Sequence, residues 1–441
     1  MTGPLRPGPA TPREAVAGAA GPGLAADDGG ARWIWLAILA VALIARLAFV
    51  AVLPGVIVWP DGREYEQVAR LLVERGTYGL QTLRAPGYPT FIAAVYFVFG
   101  ENLLALRLVE AALGTITVGL LGFVGHRLFG RGAGLTTALL AAFHPVLAFL
   151  PSTQYSENTL ALVIVLALAA AGAAIRTGRL RWWAAMGALL GAATLIRPNV
   201  IVLFPGLALG LALLLLRDHR RWLVPVLVAA TMLVLAITPW VVRNHQLHGR
   251  WFFISTGGGR QLWMGNNPRT DCASWKQTRP DSAMRAEMSR LPNEIAQDRY
   301  LTSKAVAFMR RCPGRAAQLY LVKLGNLFAL YPETHSQLYV NRWSRLAQGL
   351  ASVVIFAGVL IALRLWRTEP WLWPLTAGVV CFALPNALVL TGMRYRIAIE
   401  PCLLLMAGLG WSSLLGWRAG WRQASPGSPR PAAGGGMSGP A

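Results

Sequence analysis

Charge is what this chain has least of. Only 14% of its 441 residues are Asp, Glu, Lys or Arg, while 55% are hydrophobic, and the mean hydropathy is +0.47. That balance excludes an ordinary soluble domain and points to a polytopic membrane protein. Acids are rarer than bases, 19 against 41, and lysine is almost missing, with Lys276, Lys304 and Lys323 its three examples. The high Arg, Ala and Gly content suggests a GC-rich bacterial coding sequence. A net charge of +22 could signal nucleic acid, but no soluble basic domain is present to bind it. Cysteine is scarce as well, with four residues and no CxxC pair, which removes a thiolate metal site. Cys272 and Cys312 share one segment where a disulfide is open to them.

What is present is a series of long apolar runs. Stretches of about 20 apolar residues, enough to cross about 30 Å of hydrocarbon, fall near 33–53, 103–126, 133–150, 158–175, 182–196, 199–216, 222–242, 346–364, 371–391 and 397–416. The expectation is an all-α polytopic membrane protein with about ten spans, nine to thirteen being allowed by the uncertain boundaries. The short links "HRLFGRG" (126–132), "RTGRLR" (176–181), "RDHRR" (217–221), "RLWR" (364–367) and "WRAGWR" (417–422) are rich in arginine. Short positive loops stay in the cytoplasm. Both termini are therefore expected inside, with a first external loop at 54–99 and a larger external segment at 243–345. The organisation expected is a tail at 1–30, an N-terminal membrane module at 31–242, the external segment, C-terminal helices at 346–418 and a second tail at 419–441. Both tails are rich in Gly, Pro, Ala and Ser and are expected to be disordered.

The polar residues that loops do not explain gather at one depth. Arg46 lies inside the first span. Arg107 and Glu110, three apart, can meet on one helix face. Glu157 opens the fourth span in "SENTL", Arg197 lies in "LIRPNV", and Arg243 and Asn244 lie in "TPWVVRNH". Arg394, Tyr395, Arg396 and Glu400 lie in "TGMRYRIAIEP". Arginines near span ends often snorkel, and an Arg–Glu pair can simply pin two helices. Shared depth, however, describes an outward-open polar cavity, and ionisable groups at membrane depth mark sites by default. Arginine also suits phosphate-bearing lipids.

The segment after the first span, "VWPDGREYEQVARLLVERGTYG", reads as an interfacial amphipathic helix headed by Asp61. Asp61 with Glu64 three residues on matches a capping box, so a cap is the plain reading and a catalytic carboxylate the sharper one. "RAPGYPTFIAAVYFVFG" then turns into a short apolar helix at 90–99, too short to span. Gly257–Gly259 lack the signature of a phosphate loop and read as a tight turn. "DRYLTSKAVAFMRRCPGRAAQLYLVKLGNLFALYP" reads as two helices broken at Pro313, with Lys323 a minor phosphate candidate. His144 reads as a core residue, and His335 with Glu333 as a weak metal pair.

Taken in order, the early Asp61, "RAPGYP", "SEN", "LIRP", "PWVVRN", "GGGRQLWMGNNP" and "RYRIAIEP" resemble the glycosyltransferase C superfamily. The likeness is to the branch of protein O-mannosyltransferases and lipid A aminoarabinose transferases, and it runs from about 33 to 416. The resemblance implies transfer of a sugar, with inversion, from a polyprenyl-phosphate donor to an acceptor hydroxyl at the external face of the bacterial inner membrane. It places Asp61 as general base. Some members carry two adjacent acids there; Gly62 stands in the second place, which leans towards metal-independent catalysis. No cofactor or nucleic acid is expected, and a divalent metal is left open. Glu157 is the second catalytic candidate, and Arg197, Arg243, Arg394 and Arg396 are candidates for the donor phosphate. Arg84, Tyr88, Tyr65, Asn244, Asn266 and Tyr395 are candidates for substrate binding. The acceptor could be a lipid, a protein or a glycan. A transporter or flippase, or a ligase of lipid-linked glycans, would use a similar cavity.

Overall fold

A computed structural model describes residues 29–271, 280–331 and 342–416. The expected tails, the Cys272–Cys312 disulfide and the Glu333–His335 pair lie wholly or partly outside the described residues. Among the described residues the chain is all helical, with no strand. By length and composition six helices can cross a membrane, or seven if the bent pair Arg131–Ala142 and Pro145–Ser152 counts as one span. The remaining expected spans correspond to helices of 17, 15 and 15 residues, Leu180–Ile196, Leu372–Asn386 and Glu400–Leu414. Of the three, only the last loses residues of its expected run to a 3-10 turn, Met393–Ala398.

Helix α1 (Gly29–Val52) is largely exposed, as a lipid-facing helix should be, and its apolar run stops before Pro54. Helix α2 (Pro60–Arg75) starts with proline at N1 and ends on Gly76 at φ 65°, a left-handed cap. Its N-cap position is Trp59, with no side-chain cap bond. The capping-box expectation for Asp61 is therefore corrected: the N-cap lies two residues earlier, and the carboxylate is free to point elsewhere. Helix α3 (Gly87–Phe99) packs on α2. Helix α4 (Leu103–Phe129) is capped by Asn102, whose side chain accepts from Ala105 N at 3.1 Å. The expected span 133–150 is broken: α5 (Arg131–Ala142) and α6 (Pro145–Phe149) meet at a 59° bend where His144 caps α6. Pro145 forbids a continuous helix there.

Helices α7 (Glu157–Thr177), α8 (Leu180–Ile196), α9 (Leu203–Arg217) and α10 (Leu223–His248) follow. Beyond them α11 (Gly258–Gly265) opens on the glycine cluster, which was expected to be only a turn. Helices α12 (Ser282–Ser289), α13 (Glu294–Arg311) and α14 (Pro313–Leu327) complete this region, with the break at Pro313 as expected. The chain ends with α15 (Arg342–Leu363), α16 (Leu372–Asn386) and α17 (Glu400–Leu414). Helix α17 is the centre of the bundle. Every residue from Glu400 to Gly410 is buried, and it packs on α15, α5, α4 and α16. A helix apolar all round belongs inside. Because α17 starts at the level where α7 starts and α8 ends, three charged segments are delivered to one end of the bundle.

Candidate active site at one end of the bundle

The carboxylate of Asp61 is held by two arginines from distant parts of the chain. Oδ1 accepts from Arg84 Nη2 at 2.6 Å and Oδ2 from Arg394 Nη1 at 2.8 Å. Arg394 also donates through Nε to Glu157 Oε1, and Arg197 Nη2 reaches the same oxygen at 2.7 Å. Arg84 Nε is bonded to Glu64 Oε2 at 2.6 Å. Glu157 is fully buried, whereas Asp61, Arg84 and Arg394 keep 20–31% of their side-chain surface exposed. The result is an interlocked set in which one guanidinium joins both carboxylates.

Aromatic rings wall this set. Arg394 lies 3.6 Å above the Tyr155 ring, Arg197 5.2 Å from the Tyr395 ring centre, and Arg84 5.1 Å from that of Tyr65. Tyr65 in turn meets Tyr88 edge-on at 5.0 Å. Tyr88 is completely buried, and its hydroxyl lies beside Glu110. Burial alone would push the Asp61 carboxyl up, but the positive charges and hydrogen bonds of Arg394 and Arg84 outweigh it and hold the group well below the usual carboxylate range. The Tyr155 hydroxyl goes the other way, pushed up to about 12 chiefly by burial.

Asp61, Glu157, Arg84, Arg197, Arg394, Tyr65 and Tyr395 are thus brought together, and Tyr88 stands directly behind Tyr65. Other candidates are spent elsewhere. Arg396 is 1% exposed, with its guanidinium bonded to Glu400 Oε2 at 2.8 Å, Ala329 O at 2.8 Å and Ser352 Oγ at 3.2 Å. It faces into the bundle, away from Arg394, and the structure does not bring it to the cluster with the other phosphate candidates. The spacing concealed this because residues two apart in a 3-10 turn point to different sides. Arg243 donates to Gly79 O at 2.5 Å and stacks 4.3 Å from Trp240. Asn244 bonds Ile254 O at 3.2 Å, and the Asn266 amide is bonded to Leu262 O and Leu388 O. These two asparagines fasten backbone and are not brought to the Asp61 cluster.

Lys323, fully buried, donates to Gly265 O, Asn266 Oδ1 and Leu388 O. His144 is a core residue with a specific partner, Glu400, at 3.0 Å. Arg107 donates to Pro54 O at 2.8 Å and Val56 O at 3.3 Å, so it fixes the exit from α1, while Glu110 accepts from Asn158. Sequence reasoning passed over Glu64, Tyr155 and Gln154. Glu64 and Tyr155 were visible as neighbours of Asp61 and Glu157, but no spacing rule brings them to arginines 20 and 239 residues away.

A side chain at position 62 has no room, since a Cβ there would lie 2.9 Å from Ile57 Cγ2 and 3.2 Å from Gln154 Cβ. A second acid beside Asp61 is therefore sterically shut out.

Residues 83–242 match the family described as dolichyl-phosphate-mannose-protein mannosyltransferase. Similar solved structures include the oligosaccharyltransferase of Archaeoglobus fulgidus in the apo form, with a TM-score of 0.56 and 12% identity over 89% of this chain and 52% of that one. The oligosaccharyltransferase AglB of the same organism, in complex with an inhibitory peptide and a dolichol-phosphate, gives 0.54 and 12% over 91% and 53%. ArnT from Cupriavidus metallidurans, bound to undecaprenyl phosphate, gives 0.45 and 18% over 87% and 79%. The chain spans about half the length of the archaeal enzyme. No curated protein matches it in sequence.

Proposed function

We propose that this chain belongs to the glycosyltransferase C superfamily, as its match to the protein mannosyltransferase family over residues 83–242 supports, and that it transfers a sugar from a polyprenyl-phosphate donor to an acceptor hydroxyl at the external face of the bacterial inner membrane. The observation that carries the reading is Arg394, which ties Asp61 and Glu157 into one cluster at the end of an apolar bundle.

The chemistry asks for two things, a base for the acceptor hydroxyl and cations for the departing phosphate. Asp61 is the base. The acceptor oxygen attacks the anomeric carbon from the face opposite the phosphate, the bond from that carbon to the phosphate oxygen breaks, and the acceptor proton passes to Asp61. The lipid monophosphate leaves with the bonding electrons. Arg394, Arg197 and Arg84 receive its charge, and a donor of this kind develops that charge in the transition state where fixed cations help most. Arg243 lies outside the cluster and is a weaker candidate for the same work.

The resting geometry adds a refinement. Held between two guanidinium groups, Asp61 is a poor base. A phosphate that draws Arg394 and Arg84 to itself weakens those bonds and raises the basicity of Asp61 when donor is present. Tyr65 and Tyr395 hold the arginines in place through their ring faces, and Glu157 orients Arg394 and Arg197. The acceptor class stays open among lipid, protein and glycan.

The test begins with native mass spectrometry of the protein purified from its host membrane. A bound polyprenyl monophosphate carrying one sugar supports the reading and supplies the sugar's mass. The Asp61→Asn variant should then lose at least about 100-fold in transfer rate, the low end for a positioned base, while retaining the lipid. A bound diphosphate-linked oligosaccharide would instead favour a ligase or flippase and sink the proposal.

A further inference from the structure

Gln154 is the one residue beside the ion-pair cluster whose conformation works against its own stability. Its φ is 54°, the left-handed region that side chains other than Asn and Asp rarely occupy. It is 1% exposed, yet neither its amide nitrogen nor its amide oxygen has a hydrogen-bond partner. A buried amide left unsatisfied is costly, and native structures seldom keep one without a reason. Strain and an unmet hydrogen-bond demand on a single side chain mark a place held for function.

Its position fits that reading. The Gln154 Cβ and backbone oxygen lie 3.2 and 3.4 Å from where a Cβ on Gly62, the neighbour of Asp61, would sit. Tyr155, next in the chain, carries Arg394 on its ring. Three residues on, in the same tight passage into α7, Glu157 uses Oε1 for Arg197 and Arg394 while its Oε2, also buried, has no partner. The passage therefore offers one amide donor, one amide acceptor and one carboxylate acceptor, all out of water. A phosphate does not suit this set, because the free carboxylate oxygen repels it. An isoprenoid or acyl chain would leave all three groups unmet. Adjacent ring hydroxyls, each both donor and acceptor, satisfy them together.

We propose that Gln154 and Oε2 of Glu157 form a subsite that reads hydroxyl groups of the transferred sugar, and that Gln154 decides which sugar is accepted. The amide accepts from one hydroxyl and donates to its neighbour, and Glu157 accepts from a third. This rests on the transferase reading above.

The test compares wild type, Gln154→Gly and Gln154→Ala on short-chain polyprenyl-phosphate hexoses and pentoses, each with its set of monodeoxy analogues. Glycine relieves the left-handed backbone, so Gln154→Gly should keep or raise the thermal unfolding temperature. It should nevertheless lower kcat/KM for the preferred sugar by about tenfold or more, since each of the two hydrogen bonds to neutral hydroxyls is worth up to about tenfold. For each of the two analogues lacking one of the hydroxyls that Gln154 reads, the gap between variant and wild type should narrow, while it stays unchanged for every other analogue. An equal loss on every analogue, no loss on the parent sugar, or a Gln154→Gly protein that unfolds more easily would each overturn the subsite. If wild type turns over no donor in the panel, the transferase reading itself fails and takes the subsite with it.

Discussion

Asp61 is the residue whose chemistry is most exposed to test. Its usual value is 3.8, and in the folded protein Arg394 and Arg84 lower it further against the opposing effect of burial. A carboxyl with a depressed folded value contributes stability above its unfolded value, and that contribution is lost as pH falls through the folded value. The cluster should therefore hold from neutrality down past pH 4, and the free enzyme's kcat/KM should show no acid limb from Asp61 between about pH 5 and 8. Removing one partner changes this. Arg84→Gln deletes one of the two positive charges that face Asp61, so the carboxyl moves up and an acid limb should move into the measurable range. A pH–rate profile of that variant matching wild type would mean that Asp61 does not carry the proton. Glu157→Gln tests the other side. It removes the charge on which Arg197 and Arg394 converge, and the loss should appear mainly as weaker donor binding, an increase in KM larger than the fall in kcat.

At the scale of the element, the 3-10 turn Met393–Ala398 sets Arg394, and the turn is itself held from behind. His144 Nδ1 accepts from Leu147 N at 3.2 Å, so Nε2 carries the proton and donates to Glu400 Oε1. Glu400 Oε2 holds Arg396, which also reaches Ala329 and Ser352. One arginine thus ties the turn to the end of α14, to α15 and, through Glu400, to the α5–α6 bend. Glu400→Ala leaves Arg396 buried against no counter-charge, a loss on the order of 3–5 kcal/mol. Thermal unfolding in detergent should fall accordingly, with transfer activity lost alongside because Arg394 shifts. The helices themselves were largely readable: each apolar run in the sequence became helical, with 133–150 bent into two pieces, and Pro313 broke the helix where expected. The α5–α6 bend was not read, although "FHPV" carried the signal, because its hydropathy is continuous with a span. The site was half legible. Shared depth picked out Glu157, Arg197 and Arg394, since topology alone delivers them to one end, while Asp61 was noticed as the head of the helix after the first span and through the family resemblance. Depth could not tell Arg394 from Arg396, because that difference is a direction of pointing within a turn. Nor could spacing show that Asn266 fastens Leu388 rather than a substrate.

Close helix approach sets the same limit across the whole bundle. A Cβ on Gly410 would collide with the carbonyl oxygen of Gly358, and one on Gly187 with that of Ala229, so α15–α17 and α8–α10 pack backbone to backbone. Gly410→Ala should cost roughly 1–3 kcal/mol by overpacking, read as a lower unfolding temperature in detergent. The bundle also has two ends of opposite character. At one end lies the Asp61 cluster. At the other the arginine-rich links meet: Arg220 donates to Ile175 O at 2.7 Å, joining the 217–221 link to the end of α7, and Arg217 lies 5.7 Å from the Trp373 ring at the start of α16. Lipid-facing apolar surface between them, such as Phe97 and Ile44, covers the sides. Short arginine-rich links stay in the cytoplasm, and the proposed function accordingly needs the cluster to face out. That orientation is checked by replacing all four cysteines and adding one back at a time. Cysteine placed at Ser289, on exposed α12, should react with a membrane-impermeant maleimide in intact cells. Cysteine at Thr177, the exposed last residue of α7, should react only after the membrane is opened. The reverse pattern would turn the bundle over and put Asp61 inside the cell, where the acceptor would have to be a cytoplasmic one.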